Sequence, residues 1–129
     1  MNLLNNALGV HEKALKLKSQ RLEVLAQNIA NADTPNYKAR DIDFKSVMNE
    51  TLQQSTGMKA TSQGHFSVGQ GLDADGMRYR TPFNTSFDGN TVEMSVEQAQ
   101  YGKAAADYQA TLNFLESRVS GIRKALRGD

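Results

Sequence analysis

At 129 residues, with 39% hydrophobic, 22% charged and 7% aromatic positions, the chain has material for one structural unit and not for two independent cores. A formal charge of +1 gives no field to gather nucleic acid or an anionic surface, and the lack of cysteine removes disulfides, thiolate nucleophiles and cysteine-held metals. No apolar stretch approaches the roughly eighteen residues of a membrane span, and Met1-Asn2-Leu3-Leu4-Asn5-Asn6 lacks a basic-then-apolar leader, so any export is expected without a cleaved signal peptide.

The first predicted element is a long helix. Leu8, Leu15, Leu22 and Ile29 recur at seven-residue spacing with Leu4 and Leu25 between them, an a/d pattern interrupted by His11 and Lys18. Its end is written in Leu25-Ala26-Gln27-Asn28-Ile29-Ala30-Asn31-Ala32-Asp33-Thr34-Pro35-Asn36-Tyr37. Asn31 suits a left-handed cap, Pro35 drives Thr34 out of the helical region, and Tyr37 supplies an anchor. After Asp43, the spacing of Phe44, Val47, Met48 and Leu52 predicts a short helix over about 43–53.

The composition then changes. Gly57, Gly64, Gly69, Gly71, Gly76 and Gly89, six of the ten glycines, fall between residues 57 and 90 together with Pro82, which predicts turns and short extended pieces. His65-Phe66-Ser67-Val68 and Met77-Arg78-Tyr79-Arg80 are the strand candidates. A second long helix is predicted over 95–127. Tyr101, Ala105, Tyr108, Leu112, Leu115, Val119, Ile122 and Leu126 form its stripe, Ser95 and Gln98 read as a capping box, cations crowd its last turns, and Gly128 stops it. Burying one Leu or Ile is worth about 1.5–3 kcal/mol while ordering a residue costs about 1–2 kcal/mol in backbone entropy, so stripes this narrow need partners beyond each other.

Motifs of chemistry fail on inspection. His11 and His65 have no second ligand at metal spacing, and Asp73-Ala74-Asp75-Gly76 lacks both ends of a calcium loop. Gly69-Gln70-Gly71 does not continue as a dinucleotide fingerprint, and no phosphate-binding loop follows it. Asp41 and Asp43 would share one face of an extended segment, yet beside Arg40 and Lys45 they read as a solvated turn or helix start, and with Asp88 they are the acids an enzyme reading would have to use. Asn84-Thr85-Ser86 matches a glycosylation sequon, a pattern too common to decide anything. No enzyme, cofactor, small-molecule substrate or nucleic-acid partner is expected.

The segment Asn28-Ile29-Ala30-Asn31, a short spacer and Thr34-Pro35-Asn36-Tyr37 resembles the signature of bacterial flagellar rod, hook and related axial proteins, with Gln27 where Ala is usual and Asn36 where Gly is usual. Lys38-Ala39-Arg40-Asp41-Ile42-Asp43-Phe44, Tyr79-Arg80-Thr81-Pro82 and Phe87-Asp88-Gly89-Asn90-Thr91-Val92-Glu93-Met94 narrow the resemblance to the proximal rod subunits, over the whole chain except about residues 53–76.

The resemblance implies a mainly α structural subunit of the flagellar basal body, its terminal helices paired as a coiled coil around an irregular Gly-rich middle. The chain then divides into an N-terminal helix (1–32), a signature turn and short helix (33–56), an irregular segment (57–94) and a C-terminal helix (95–129). Asn28, Ile29, Ala30, Asn31, Thr34, Pro35 and Tyr37 become an assembly signature. Leu8, Leu15, Leu22, Leu25 and Ile29, with Tyr101, Tyr108, Leu112, Leu115, Val119, Ile122 and Leu126, become a coiled-coil interface. Implied partners are further copies, other rod proteins, the adaptor at the rod base and the inner-membrane ring protein. Export would run through the flagellar type III pathway, to a rod spanning the periplasm. A soluble coiled-coil adaptor or secretion chaperone is the alternative, expected as a closed dimer.

Overall fold

The computed structural model describes residues 2–55 and 76–128, so the strand expected at 65–68 and Asp73-Ala74-Asp75 of the imitation calcium loop lie outside the described residues. In chain order the elements are helix α1 (Asn2–Ala30), strand β1 (Arg40–Ile42), helix α2 (Phe44–Ser55), strand β2 (Met77–Tyr79) and helix α3 (Met94–Arg127). α1 and α3 are 29 and 34 residues long, about 43 and 51 Å at 1.5 Å per residue. Both are free of proline and rich in Leu, Ala, Gln, Glu and Lys, which lose little rotamer freedom in a helix.

α1 and α3 pack antiparallel. His11 lies against Phe114 with ring centroids 5.1 Å apart, Lys18 Nζ donates to Thr111 Oγ1 (2.8 Å), Arg21 to Gln100 (3.2 Å) and Asn28 to Glu97 (3.1 Å). The interruptions in the first stripe, His11 and Lys18, therefore face the partner helix. A second face of α1 carries Leu17 and Val24, which are buried with Ile42 beneath Phe44, Val47, Met48 and Met77. β1 and β2 form a two-stranded antiparallel ribbon in the register Arg40–Tyr79, Asp41–Arg78 and Ile42–Met77. The β2 expectation at 77–80 is met, whereas β1 has only three residues and no alternation from which to read it.

The α1 stripe shares this contact through Leu25 and the positions of His11 and Lys18, whereas the α3 stripe sits largely beside it. On α3 the line facing α1 runs through Glu97, Gln100, Ala104, Thr111 and Phe114, with Glu97 and Ala104 buried. The stripe Tyr101, Ala105, Leu112, Leu115 is one position further on, and one position turns the helix by about 100°. Tyr108 and Ile122 are half-buried, and Tyr101, Val119 and Leu126 are exposed. Among the predicted α1 positions Leu25 is fully buried, while Leu8, Leu15, Leu22 and Ile29 are half-buried. With antiparallel axes and right-handed turns, the α3 stripe and the Leu8, Leu15 and Leu22 line of α1 lean to the same side of the pair, away from the β-ribbon and α2.

Helix ends follow local chemistry, with two corrections. α2 begins as expected at Asp43, whose carboxylate receives the Ser46 N–H (3.3 Å) and hydroxyl (2.9 Å). α3 ends at Gly128 in the left-handed region (φ 76), its N–H bonded to Lys124 O. The Ser95–Gln98 capping box does not form. α3 starts one residue earlier with Glu93 as a cap that makes no side-chain cap bond, because the Glu93 carboxylate is occupied by the Phe83 and Asn84 N–H groups (2.8 and 2.9 Å). Ser95 is then already inside the helix. Nor is Asn31 left-handed. Its Nδ2 folds back on Gln27 O (2.8 Å) and its Oδ1 accepts the Thr34 hydroxyl (3.0 Å), so the chain leaves α1 through right-handed turns and reverses only at Asn36 (φ 59), past Pro35.

Candidate functional site

The turn after α1 closes against the loop before α3. Asn36 N–H donates to Asp88 O (3.0 Å), Thr91 N–H to Tyr37 O (3.0 Å), Ala39 N–H to Thr91 Oγ1 (2.8 Å) and Lys38 Nζ to Gly89 O (2.5 Å). Two motifs about fifty residues apart in sequence thus form one clasp. Gly89 (φ 78) is needed twice over: its backbone is left-handed, and a Cβ there would stand 2.6 Å from Asn36 Oδ1. Asn90, fully buried, ties down the turn that follows α1. Its Nδ2 lies 2.9, 2.9 and 2.8 Å from the carbonyls of Asn31, Ala32 and Thr34, and its Oδ1 accepts Val92 N–H (2.8 Å).

Asn28 is the second node. With no exposed surface, its Oδ1 accepts Arg40 N–H (3.2 Å) and the Tyr37 hydroxyl (3.3 Å), while its Nδ2 donates to Arg40 O (2.6 Å) and Glu97 Oε2 (3.1 Å). The carboxamide meets both backbone groups of Arg40 as a neighbouring strand would, closing the β1 edge that β2 does not cover. Glu97, also buried, takes Arg80 Nη1 on its other oxygen.

A relay of charges extends from this node. Arg80 Nη2 bonds Asp41 Oδ2 (3.0 Å), and Arg21 grips Asp41 through Nε and Nη2 (3.0 and 3.2 Å), joining α1, the ribbon and α3. Burial pushes the Asp41 carboxyl up, but hydrogen bonding and charge from Arg21, with help from Ile42 N–H and Arg80, outweigh it and hold the group below its ordinary value. The Asp41 hydrogen bond likewise raises the Arg21 guanidinium against the opposing effect of burial. The Ser46 hydroxyl and N–H hold Asp43 low.

Asp41 is thus an ion-pair member, Asp43 a helix cap bridged to Arg78 (3.3 Å), and Asp88 Oδ1 accepts Asn90 N–H (3.1 Å). They do not converge on one point. Of the predicted signature, Asn28, Asn31, Thr34 and Tyr37 are drawn into the clasp, Ile29 is half-buried, and Ala30 and Pro35 are exposed. Arg21, Arg80, Asn90 and Glu97 were missed as site residues. Asp88-Gly89-Asn90 could have marked Asn90 through its turn chemistry, whereas nothing local distinguishes Glu97 from the other helix acids.

A clasp of turns and ion pairs that binds two long helices, each with an incompletely covered apolar stripe, defines a structural protein and not a site of chemistry. The comparisons with known proteins concur. Residues 8–38 match the family model described as flagella basal body rod protein. The flagellar basal body rod protein FlgB of Aeromonas hydrophila is 43% identical over 128 residues, covering 97% of this chain and 96% of the relative. FlgB of Cereibacter sphaeroides is 41% identical with full coverage of both chains, and FlgB of Salmonella typhimurium is 39% identical, covering 99% of this chain and 98% of the relative. The chain belongs to the FlgB family of flagellar basal body rod proteins. It is accordingly a structural subunit of the basal body rod and not an enzyme.

Proposed function

We propose that the subunit assembles through its terminal helices into the inner layer of a helical axial tube at the proximal end of the rod. One observation carries the reading. After α1 and α3 have paired, Leu8, Leu15 and Leu22 together with Tyr101, Leu112, Leu115 and Val119 still form incompletely covered apolar stripes on one side. Such a face in a chain with so small a core calls for helices of neighbouring subunits. The clasp around Asn28, Asn31, Thr34 and Tyr37 would fix the angle at which the chain leaves that layer. The partners proposed are other rod proteins, the rod-base adaptor and the inner-membrane ring protein. Delivery across the inner membrane would use the flagellar export pathway without signal cleavage, placing the subunit in the periplasm-spanning rod. Among the described residues no helix is long and apolar enough to cross a membrane. A closed cytoplasmic coiled-coil dimer is the less favoured reading, since it would not require the clasp.

The test is motility and immunogold labelling of basal bodies. Leu115→Asp sets a carboxylate in the proposed contact and should abolish assembly while the protein is still made. Asp41→Asn, Asp43→Asn and Asp88→Asn, each affecting only the clasp or a cap, should retain substantial swimming. Normal swimming in Leu115→Asp would refute the proposed interface.

A further inference from the structure

The loop between β2 and α3 carries two phenylalanines that the fold does not use. Phe83 and Phe87 have relative exposures of 92% and 113%. Their backbone is nonetheless held: Phe83 and Asn84 N–H bond Glu93, Ser86 N–H bonds Asn90 O (3.0 Å), and Gly89 N–H bonds Ser86 O (2.9 Å). Two large apolar side chains projected into water from a braced loop are the mark of an insertion element, already ordered before it binds.

The same chain carries a groove suited to receive it. About 490 Å³ in volume, it lies between the end of α1 and the ribbon, and its lining mixes Val24, Met77, Tyr37 and Tyr79 with the polar Asn31 and Asn36. Among the described residues its charged lining is Lys38 and Arg40, and Arg40 is stacked on the Tyr79 ring at 5.0 Å. The loop is opposite in character, for residues 81–93 contain Asp88 and Glu93 and no Lys or Arg. The hollow adjoins this loop within the subunit, since Asn36 and Lys38 on its wall bond Asp88 O and Gly89 O. A loop that enters the hollow of the next copy makes a head-to-tail contact, and when its rotation does not close, repetition builds a helical array.

We propose that the Phe83–Phe87 loop of one subunit seats in the groove of a second copy of this chain, beside Tyr37, Lys38, Arg40 and Tyr79. This rests on the rod reading above and adds a contact outside the terminal helices.

The cysteine-free sequence allows a direct test. Thr85, between the two phenylalanines, and Gln27, on the groove, are both exposed. Thr85→Cys and Gln27→Cys copies are expressed together in flagellated cells, and isolated basal bodies are treated with a short bis-maleimide. The expected product is a dimer that needs both variants and falls at least tenfold when the Thr85→Cys copy also carries Phe83→Ser and Phe87→Ser. Circular dichroism of the purified Ser variant, unchanged from the parent, checks that folding is intact. A dimer from Thr85→Cys alone, a link to a chain of different mass, an undiminished link in the Ser variant, or no link in basal bodies that contain the protein would each overturn the proposal while leaving the rod assignment standing. Absence of the unaltered protein from basal bodies would instead refute the rod assignment itself.

Discussion

Replacing Asn28 by Ala is the most informative perturbation of the clasp. The side chain is wholly buried and its carboxamide makes hydrogen bonds to Arg40 N–H, Arg40 O, the Tyr37 hydroxyl and Glu97. A buried group left without its partner costs about 1–3 kcal/mol. The Arg40 peptide loses a donor and an acceptor at once, which sets a range of about 2–6 kcal/mol. Glu97 keeps Arg80 and adds little, and water entering the vacated space offsets part of the loss, so we expect about 3–4 kcal/mol, a large share of the ~5–15 kcal/mol typical of a folded domain. Urea unfolding followed at 222 nm, with exposed Asn49→Ala as the control, measures the difference. Amide exchange of Arg40 reports the same event locally and should accelerate before the rest of the ribbon. Asn28→Asp should be no better, because it removes the Nδ2 donor and sets a carboxylate against Glu97. An Asn28→Ala variant within 1 kcal/mol of the parent, with Arg40 still protected, would refute the claim that this carboxamide stands in for a missing strand.

Gly89→Ala should destabilise by at least ~1–3 kcal/mol, since left-handed backbone strain is joined by the collision with Asn36 Oδ1; Asn36→Gly, which relaxes φ 59, should be neutral within about 0.5 kcal/mol by the same urea assay. Asn90→Ala removes the donor shared by three carbonyls of the turn after α1 and should cost about 2–3 kcal/mol, with loosening of that turn detectable by amide exchange of Thr34 and Asn36. Asp41 and Asp43 titrate below the ordinary value of 3.8. Their contribution is therefore fully present above that value and lost as pH falls through the lower folded-state values, so the urea midpoint should be level down to about pH 5 and decline below about pH 4, with a shallower decline in Asp41→Asn. Pro35→Ala combined with Tyr37→Ala should impair rod assembly with the protein still made, scored by swimming and by electron microscopy of basal bodies.

The sequence alone was sufficient for elements whose cause is local. Leucine recurrence, the Asp43 cap, Gly128 and Pro35 each act within a few residues, so α1, α2, the end of α3 and the exit from α1 could all be read in advance. The signature and the Asp88–Asn90 turn were visible as well, each as a piece of unusual composition. What they do for each other was not visible, because Asn90 reaches the end of α1 across 56 to 59 positions and Asn28 meets Glu97 across 69. Only packing decided that α3 meets α1 through positions one step from its own leucine and tyrosine stripe, and that His11 and Lys18 are the α1 stripe positions that face it. A periodic pattern records which face must leave water, not which neighbour covers it. The caps expected at Asn31 and Ser95 failed for nearer reasons, since Gln27 O and Thr34 engage the Asn31 side chain and α3 begins one residue early, at Met94. Tertiary contacts assigned the Asn28 and Asn90 hydrogen bonds because buried polar groups must all be paired at once, a condition that couples residues far apart in the chain.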